Sequence, residues 1–454
     1  MTEHESAPTI GEALERLRDG SLRSADLTRQ CLDAIARLNP ALNAFIAVTA
    51  EDALEAAHRA DQAQARGDWL GPLHGIPVSL KDLVDQRGVP TTAGSRVLEP
   101  VPAERDAAVT ASLRRAGAVF VGKCNLHEFA FGTTSDESAF GPVRHPRDRD
   151  RSPGGSSGGS AVAVATGMSL ASIGTDTGGS VRIPAAACGL VGLKPAVGEV
   201  SCDGVIPLSV SLDHVGPLTR TVADAAVLQA VLTGTEPVTS AAAPPAESLR
   251  LGVPRSFVEG RVEPEVEQRF DAACRRLRDA GVTVEAVEIP ELEIAASAYL
   301  AIVLPEAAQW HAAMLKHRAE RYCPGVRIRL EAGRYILAED YVRGQQARGR
   351  LAAAVNAALS GRDALIAPAL AITAPPIGAS TVRLAHKEEP IRAATLRLTQ
   401  PFNLTGHPAI ALPCDAGRDG LPCGLQLIGP RFNTRALLAT ALACEPHLWR
   451  GGTG

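Results

Sequence analysis

Short runs that are apolar at nearly every position recur along this chain, with longer segments of helical apolar spacing between them. HGIPVSL leading into Lys81, AVFVGK (118–123), SLASIG (169–174), LRLGVP (249–254), VTVEAVEI (282–289), DALIAP (363–368), AIALP (409–413) and GLQLIG (424–429) all have strand length. A strand buried on one face alternates apolar and polar residues. A strand covered on both faces is apolar throughout. Residues 9–19, 24–38, 50–66, 106–117, 263–280, 293–318, 339–360 and 432–444 carry apolar residues at helical spacing. Strands alternating with helices predict an α/β fold, a sheet with helices on both faces.

Size and composition narrow the organisation. The chain has 454 residues, 45% of them hydrophobic, enough for a large core. Length alone suggests two or three domains. No internal repeat and no second core is visible, so one domain over residues 1–454 is expected. Its core spans 70–230, and the Pro/Ala-rich stretch 235–248 is a surface linker or loop. The net charge of −4 with 21% charged residues shows no nucleic-acid footprint and no polybasic membrane patch. No apolar run reaches the roughly 18 residues of a spanning helix. The first twenty residues lack the apolar stretch of a secretory signal. Nine scattered cysteines, none in C-x-x-C spacing, argue against a disulfide framework or a zinc site and for a reducing cytoplasm.

Two biases point at chemistry. Lys and Arg total 46, of which five are lysine: Lys81, Lys123, Lys194, Lys316 and Lys387. Lysine gives up its proton when desolvated, whereas arginine does not. Lys387 lies in the polar stretch AHKEEP and suits a surface; Lys81 ends an apolar run and does not. The second bias is glycine. Gly154-Gly155, Gly158-Gly159 and Gly178-Gly179 all fall between Arg151 and Ala186, beside Ser156, Ser157 and Ser180.

Three readings fit such a segment. A phosphate cradle would need G-x-x-x-x-G-K-[ST], or G-x-G-x-x-G after a strand, and neither occurs. Residues 154–158 formally match the G-x-S-x-G nucleophile elbow. The elbow follows a buried strand, and HPRDRDRSP is not one; no spacing singles out His214 or His407 as a triad base. A serine activated by a lysine distant in sequence remains, with Lys81 as the candidate base.

GGSSGGSAVAVATG followed by GTDTGGSVRIPAAACGLVGLKPAVG resembles the signature of the amidase signature enzymes. LHGIPVSLKD (73–82), TTAGS (91–95), GKCNLHEFAFGTTSDESAFGPVRHP (122–146), SLDHVGPLTRTVADAA (211–226), FNLTGHPAIALPC (402–414) and GLPCGLQLIGP (420–430) extend the resemblance over nearly the whole chain. It implies the amidase signature fold, a central twisted mixed β-sheet covered by helices. It also implies a catalytic triad of Ser180 as nucleophile, Ser156 in cis-peptide linkage as proton bridge, and Lys81 as base. Backbone N–H groups of Thr177, Gly178, Gly179 and Ser180 would form the oxyanion hole, Ser157 would support the loop, and no cofactor or metal is required. Asp176 and Arg182 bracket the nucleophile and are expected to form a structural ion pair. His74 and His127 are expected to pack or hydrogen-bond, and Cys188 and Cys202 to be inert. Phe131, Gly132 and Thr133 fall where the family lines its pocket.

The activity expected is hydrolysis of the C–N bond of a small linear amide, urea or carbamate by a stand-alone enzyme. The alternative is the glutaminase A subunit of a glutamyl-/aspartyl-tRNA amidotransferase. A dead scaffold is disfavoured because all triad positions are filled. Amidotransferase members carry a basic turn after LKPAVG, whereas this chain has GEVSCDG (198–204). That departure, with the acidic balance, favours the hydrolase. The partners expected are therefore a small-molecule amide, no nucleic acid and no membrane, with a homodimer allowed. Loops around 125–140, 200–215 and 300–400 would set specificity. Among them Arg392, Arg397 and Gln400 could meet a carboxylate or carbonyl but are expected on a solvated helix face.

Overall fold

The computed structural model describes residues 7–384, 387–416 and 420–448. Thirteen strands are formed: β1 (Phe45–Val48), β2 (Pro77–Lys81), β3 (Val119–Cys124), β4 (Ala171–Thr175), β5 (Val191–Lys194), β6 (Val215–Thr219), β7 (Arg250–Pro254), β8 (Thr283–Val287), β9 (Ala364–Pro368), β10 (Thr381–Leu384), β11 (Lys387–Pro390), β12 (Ala409–Ala416) and β13 (Pro422–Ile428). Eleven of them make one sheet in the order β1-β3-β2-β4-β6-β5-β12-β13-β9-β7-β8; β10 and β11 pair as a separate hairpin. β2 runs parallel to both β3 and β4, and β7 runs parallel to β8 and β9. The remaining contacts are antiparallel. The expected α/β architecture is therefore present as a mixed sheet flanked by helices.

The apolar runs mark the sheet's centre. Every residue of β2, β3, β4, β5, β6, β9 and β13 is buried. This is why their side chains do not alternate. β5 (VGLK) and β6 (VGPLT) escape a sequence reading. Each is four or five residues long and carries glycine or proline, which weaken a strand signal. The helical pattern at 293–318 divides into Ala295–Trp310 and Ala312–Arg318. The stretch 235–248 is loop apart from two short turns of 3₁₀ helix.

The topology delivers the site. β2 and β4 are adjacent and parallel, so their carboxyl ends lie at the same edge, where α/β sheets commonly build sites. Lys81 is the last residue of β2 and Thr175 the last of β4. The chain leaves β4 through Asp176–Ser180 and enters the helix Arg182–Cys188. The serine loop ahead of the helix Gly158–Ala165 packs against that exit.

Candidate active site

Lys81, Ser156 and Thr175 meet at this edge. Lys81 Nζ is hydrogen-bonded to Ser156 Oγ and to Thr175 Oγ1, each at 2.7 Å, and all three residues are buried. Burial pushes the Lys81 ammonium down to about 7, against the charges of Asp213 and Asp176, which favour protonation. A lysine in this position is half neutral near pH 7 and is able to accept a proton.

The Gly155–Ser156 peptide bond is cis. The Ser156 carbonyl accepts from the His127 N–H at 3.1 Å and from Ser135 Oγ at 3.2 Å. Ser157 ties the two loops together. Its N–H donates to the Ser180 carbonyl at 3.2 Å, and its Oγ donates to the Thr175 carbonyl at 3.2 Å. Ser180 thus lies against the same loop, and it lines a narrow cleft of about 10 Å³ with Phe131, Gly132 and Thr133. Among the described residues no hydrogen bond joins Ser180 Oγ to Ser156 Oγ. Such contacts commonly tighten only with substrate in place. A roomier pocket, about 930 Å³, lies elsewhere, lined by Arg147, Cys188 and Glu445 among others, and holds no residue of this site.

The backbone beyond β4 presents donors. Among the described residues, the N–H groups of Thr177, Gly178, Gly179 and Ser180 donate to no protein acceptor. The next two, Val181 and Arg182, are taken by Asp176 Oδ2 at 3.2 and 3.3 Å. The glycines are needed for this path. Gly179 has φ +139°, a region other residues rarely occupy. A Cβ on Gly178 would meet the Tyr299 hydroxyl at 2.6 Å, and Thr399 Oγ1 fixes the Gly178 carbonyl at 2.6 Å.

Asp176 and Arg182 form the expected ion pair, fully buried, with Arg182 Nε and Nη2 on the two carboxylate oxygens at 3.0 Å. Arg182 also donates to Gln426 Oε1 at 2.9 Å and Asn403 Oδ1 at 2.7 Å, and Asn403 donates back to Asp176 at 2.8 Å. Burial pushes the Asp176 carboxyl up, but the Arg182 guanidinium overrides it and holds it well below the usual carboxylate range. Arg182→Ala strands Asp176 in the core and should destabilise the protein by about 3–5 kcal/mol. Cutting the exposed Arg105–Asp203 pair should cost at most about 1 kcal/mol. Urea unfolding of the two variants makes the comparison, and equal losses would show that the buried pair does not hold the loop.

The other expectations divide. His74 stacks on Trp69 at 4.0 Å, and His127 faces Glu137 at 3.2 Å, so both are supporting residues. His214 bonds the Leu212 carbonyl and His407 bonds Asn356, and neither contacts a serine of the site. Cys188 is buried, and Cys202 is exposed on the 198–204 turn. Burial pushes the Cys188 thiol above its ordinary range. Arg397 pairs with Glu389, but Gln400 is buried and Arg392 lines the cleft, so the expectation of a solvated helix face is wrong for Gln400 and for Arg392. Sequence reasoning also passed over Thr175, Tyr299 and Asp213. Asp213 lies inside the quoted SLDHVGPL. Its carboxylate accepts from Thr177 Oγ1 at 2.6 Å, and burial pushes it up to about 6. Among the described residues no group of His, Cys, Asp and Glu is arranged to hold a metal ion. Among them, too, no helix is long and apolar enough to cross a membrane.

The Amidase family model matches residues 26–438, and the chain belongs to this family, that of the amidase signature enzymes, which hydrolyse C–N bonds with a serine nucleophile. The chain is 38% identical to the A subunit of the glutamyl-tRNA(Gln) amidotransferase of Roseiflexus sp. (strain RS-1), over 95% of this chain and 94% of that one. A crystal structure described as an amidase superposes with TM-score 0.92 at 39% identity, covering 97% of this chain and all of the other. The A subunit of the glutamyl-tRNA(Gln) amidotransferase of Thermotoga maritima superposes with TM-score 0.79 at 34% identity, covering 96% and 94%.

These relatives overturn the expected partners. A small-molecule amide with no nucleic acid and at most a second copy of the chain does not describe proteins named as components of an enzyme for glutamyl-tRNA(Gln). The expectation rested on a net charge of −4. Net charge sums the whole surface, and one component can meet tRNA through its complex, so the sum excludes neither.

Proposed function

We propose that this chain is the amide-hydrolysing A subunit of a tRNA amidotransferase, which cleaves a terminal carboxamide and releases ammonia for transfer within the complex. The Lys81–Ser156 hydrogen bond at 2.7 Å, beside Ser180 and the four free N–H groups, carries the chemistry of this reading. Identity of 38% along nearly the full length supports the role within a complex. Ser180 Oγ attacks the amide carbonyl carbon, and its proton passes through Ser156 to neutral Lys81. N–H groups within 177–180 hold the developing oxyanion, and the loss of one such donor costs about 3–4 kcal/mol in the transition state. The proton returns to the leaving nitrogen, the C–N bond breaks, and ammonia departs. Water, deprotonated along the same path, then releases the acid from Ser180. On this reading the chain works in the cytoplasm.

A second reading, a free-standing amidase for small linear amides, is favoured by two observations. The TM-score is 0.92 to the amidase and 0.79 to the amidotransferase component. The turn after LKPAVG carries Glu199 and exposed Asp203. Co-expression with the B and C subunits of its own source separates the two. The amidotransferase reading expects a stable complex that amidates glutamyl-tRNA. A chain that never associates yet hydrolyses small amides at full rate would establish the other.

Activity should follow the ionisation of Lys81. With the ammonium pushed down to about 7, kcat/KM should rise with pH, pass its midpoint near pH 7 and level off above it. The Asp213 charge raises the Lys81 value, so Asp213→Asn should move the midpoint to lower pH. A pH profile of both proteins checks the sign, and a midpoint that stays put or rises would show that Lys81 does not feel Asp213.

A further inference from the structure

The cleft beside Ser180 contains one charged group without a partner. Arg392 sits in the short helix Ile391–Leu396 and lines the cleft with Phe131, Thr133, Ser180 and Tyr299. Its guanidinium carbon lies 5.6 Å from the Phe131 ring centroid. Among the described residues no carboxylate lies within ion-pair reach of it, and its Nε is shut from solvent with no hydrogen-bond acceptor.

The neighbouring arginines are all neutralised. Arg329 approaches the same Phe131 ring at 5.6 Å, but its charge is met by Glu137 at 2.8 Å. Arg397, five residues along, is paired with Glu389, and Arg261 with Glu293. Arg392 faces the Tyr299 phenol, Arg329, and apolar Phe131 and Leu396, and it also lines a second pocket with Arg261, Glu293 and Arg397, in which Glu293 is already paired with Arg261. Burial pushes the Tyr299 phenol above its ordinary range, so it stays neutral. Asp213 is occupied by Thr177 and by the N–H groups of Leu208 and Ser209.

Arg392 is half-buried with its Nε shut from solvent; a guanidinium keeps its charge, and that charge is costly away from water unless an anion meets it. Protein folds generally supply the anion, as this one does for Arg182, Arg261, Arg329 and Arg397. For Arg392, among the described residues, the fold does not. We propose that Arg392 is a specificity-determining residue that binds a carboxylate on the substrate, so that the amide hydrolysed at Ser180 is one that carries a carboxylate. This rests on the reading of the site as an amide hydrolase and names its substrate class. The planar fork of an arginine matches a carboxylate in two parallel hydrogen bonds, which fixes the far end of the substrate while Ser180 meets the carbonyl. The cleft as it stands has room for little more than one water molecule, about 10 Å³, so side chains lining it have to move aside for even a compact amide to enter. Its lining includes no carboxylate, so an amide with only an ammonium group finds repulsion there.

The test uses the full chain and three amides of like size: succinamate (anionic), butyramide (neutral) and β-alaninamide (cationic). The wild type should order them succinamate, butyramide, β-alaninamide in kcat/KM. In Arg392→Gln the ratio of succinamate to butyramide should fall about 100-fold, the loss falling mainly on KM. Arg392→Lys should recover part of it, since the charge remains and the fork does not. A ratio that stays within about threefold of wild type, or a wild type that prefers butyramide, would overturn the proposal. Calorimetry of succinamate binding to Ser180→Ala, with and without Arg392→Gln, separates this from the hydrolase reading. Binding that depends on Arg392 in a protein that hydrolyses none of the amides would refute the hydrolase and leave the anion site standing. Hydrolysis with no dependence on Arg392 would do the reverse.

Discussion

Lys81→Arg is expected to be as inactive as Lys81→Ala, each losing about four orders of magnitude in kcat, as removal of a triad member does in serine hydrolases. Lys81 is fully enclosed, and its amine has two hydrogen-bond neighbours, Ser156 and Thr175 at 2.7 Å. If its task were to hold a positive charge there, arginine would perform it. If its task is to take the Ser180 proton through Ser156, arginine fails, because it keeps its proton at every accessible pH. Rates for both variants, alongside thermal unfolding to show that each is folded, decide the matter. Retention of more than a tenth of wild-type activity in Lys81→Arg, a loss under about 1.4 kcal/mol, would make Lys81 a positioning charge.

Ser180→Ala should fall furthest, by about four to six orders of magnitude in kcat. Its stability should stay within about 0.5 kcal/mol of wild type. The two expectations have one cause. Ser180 lines the cleft, and among the described residues its Oγ makes no hydrogen bond to a protein group, so truncation removes the attacking atom and little else. Ser156 is different: its hydroxyl takes the Lys81 hydrogen bond, so truncation there leaves a buried amine short of a partner. Turnover near normal in a folded Ser180→Ala would end the assignment of the nucleophile.

Much of this architecture could be read from residue order, and the misses have physical causes. The two-face-buried strands β2, β3, β4 and β9 stand out because they lack alternation. β5 and β6 hide because glycine and proline break the pattern that a strand of four or five residues has to show. The scarcity of lysine points at Lys81, yet Lys123 and Lys194 are equally buried. Lys123 pairs with Asp82 at 3.1 Å, and Lys194 donates to the Pro195 carbonyl at 2.9 Å. Composition picks out enclosed lysines, and only the contact with Ser156 picks out the one able to act as a base. Asp176 and Arg182 are legible as a pair because they flank one tight loop. Arg392 is not, because a helix of six residues is too short to show which of its faces is covered. Tyr299 lies more than a hundred residues from Ser180 in sequence, and only the fold sets it against Gly178.

Ser180 as the attacking residue and Lys81 as the base that frees it are the two claims on which everything else depends. Labelling with phenylmethylsulfonyl fluoride, which sulfonylates an activated serine, tests both at once. Trypsin releases residues 152–182 as one peptide that contains Ser156, Ser157 and Ser180, and fragmentation assigns the label among them. One sulfonyl group per chain is expected, on Ser180 and absent in Ser180→Ala. The labelling rate should rise through a midpoint near pH 7 and be abolished in Lys81→Arg. A label on Ser156 or Ser157 that accompanies loss of activity, or labelling of Ser180 at wild-type rate in Lys81→Arg, would contradict these roles.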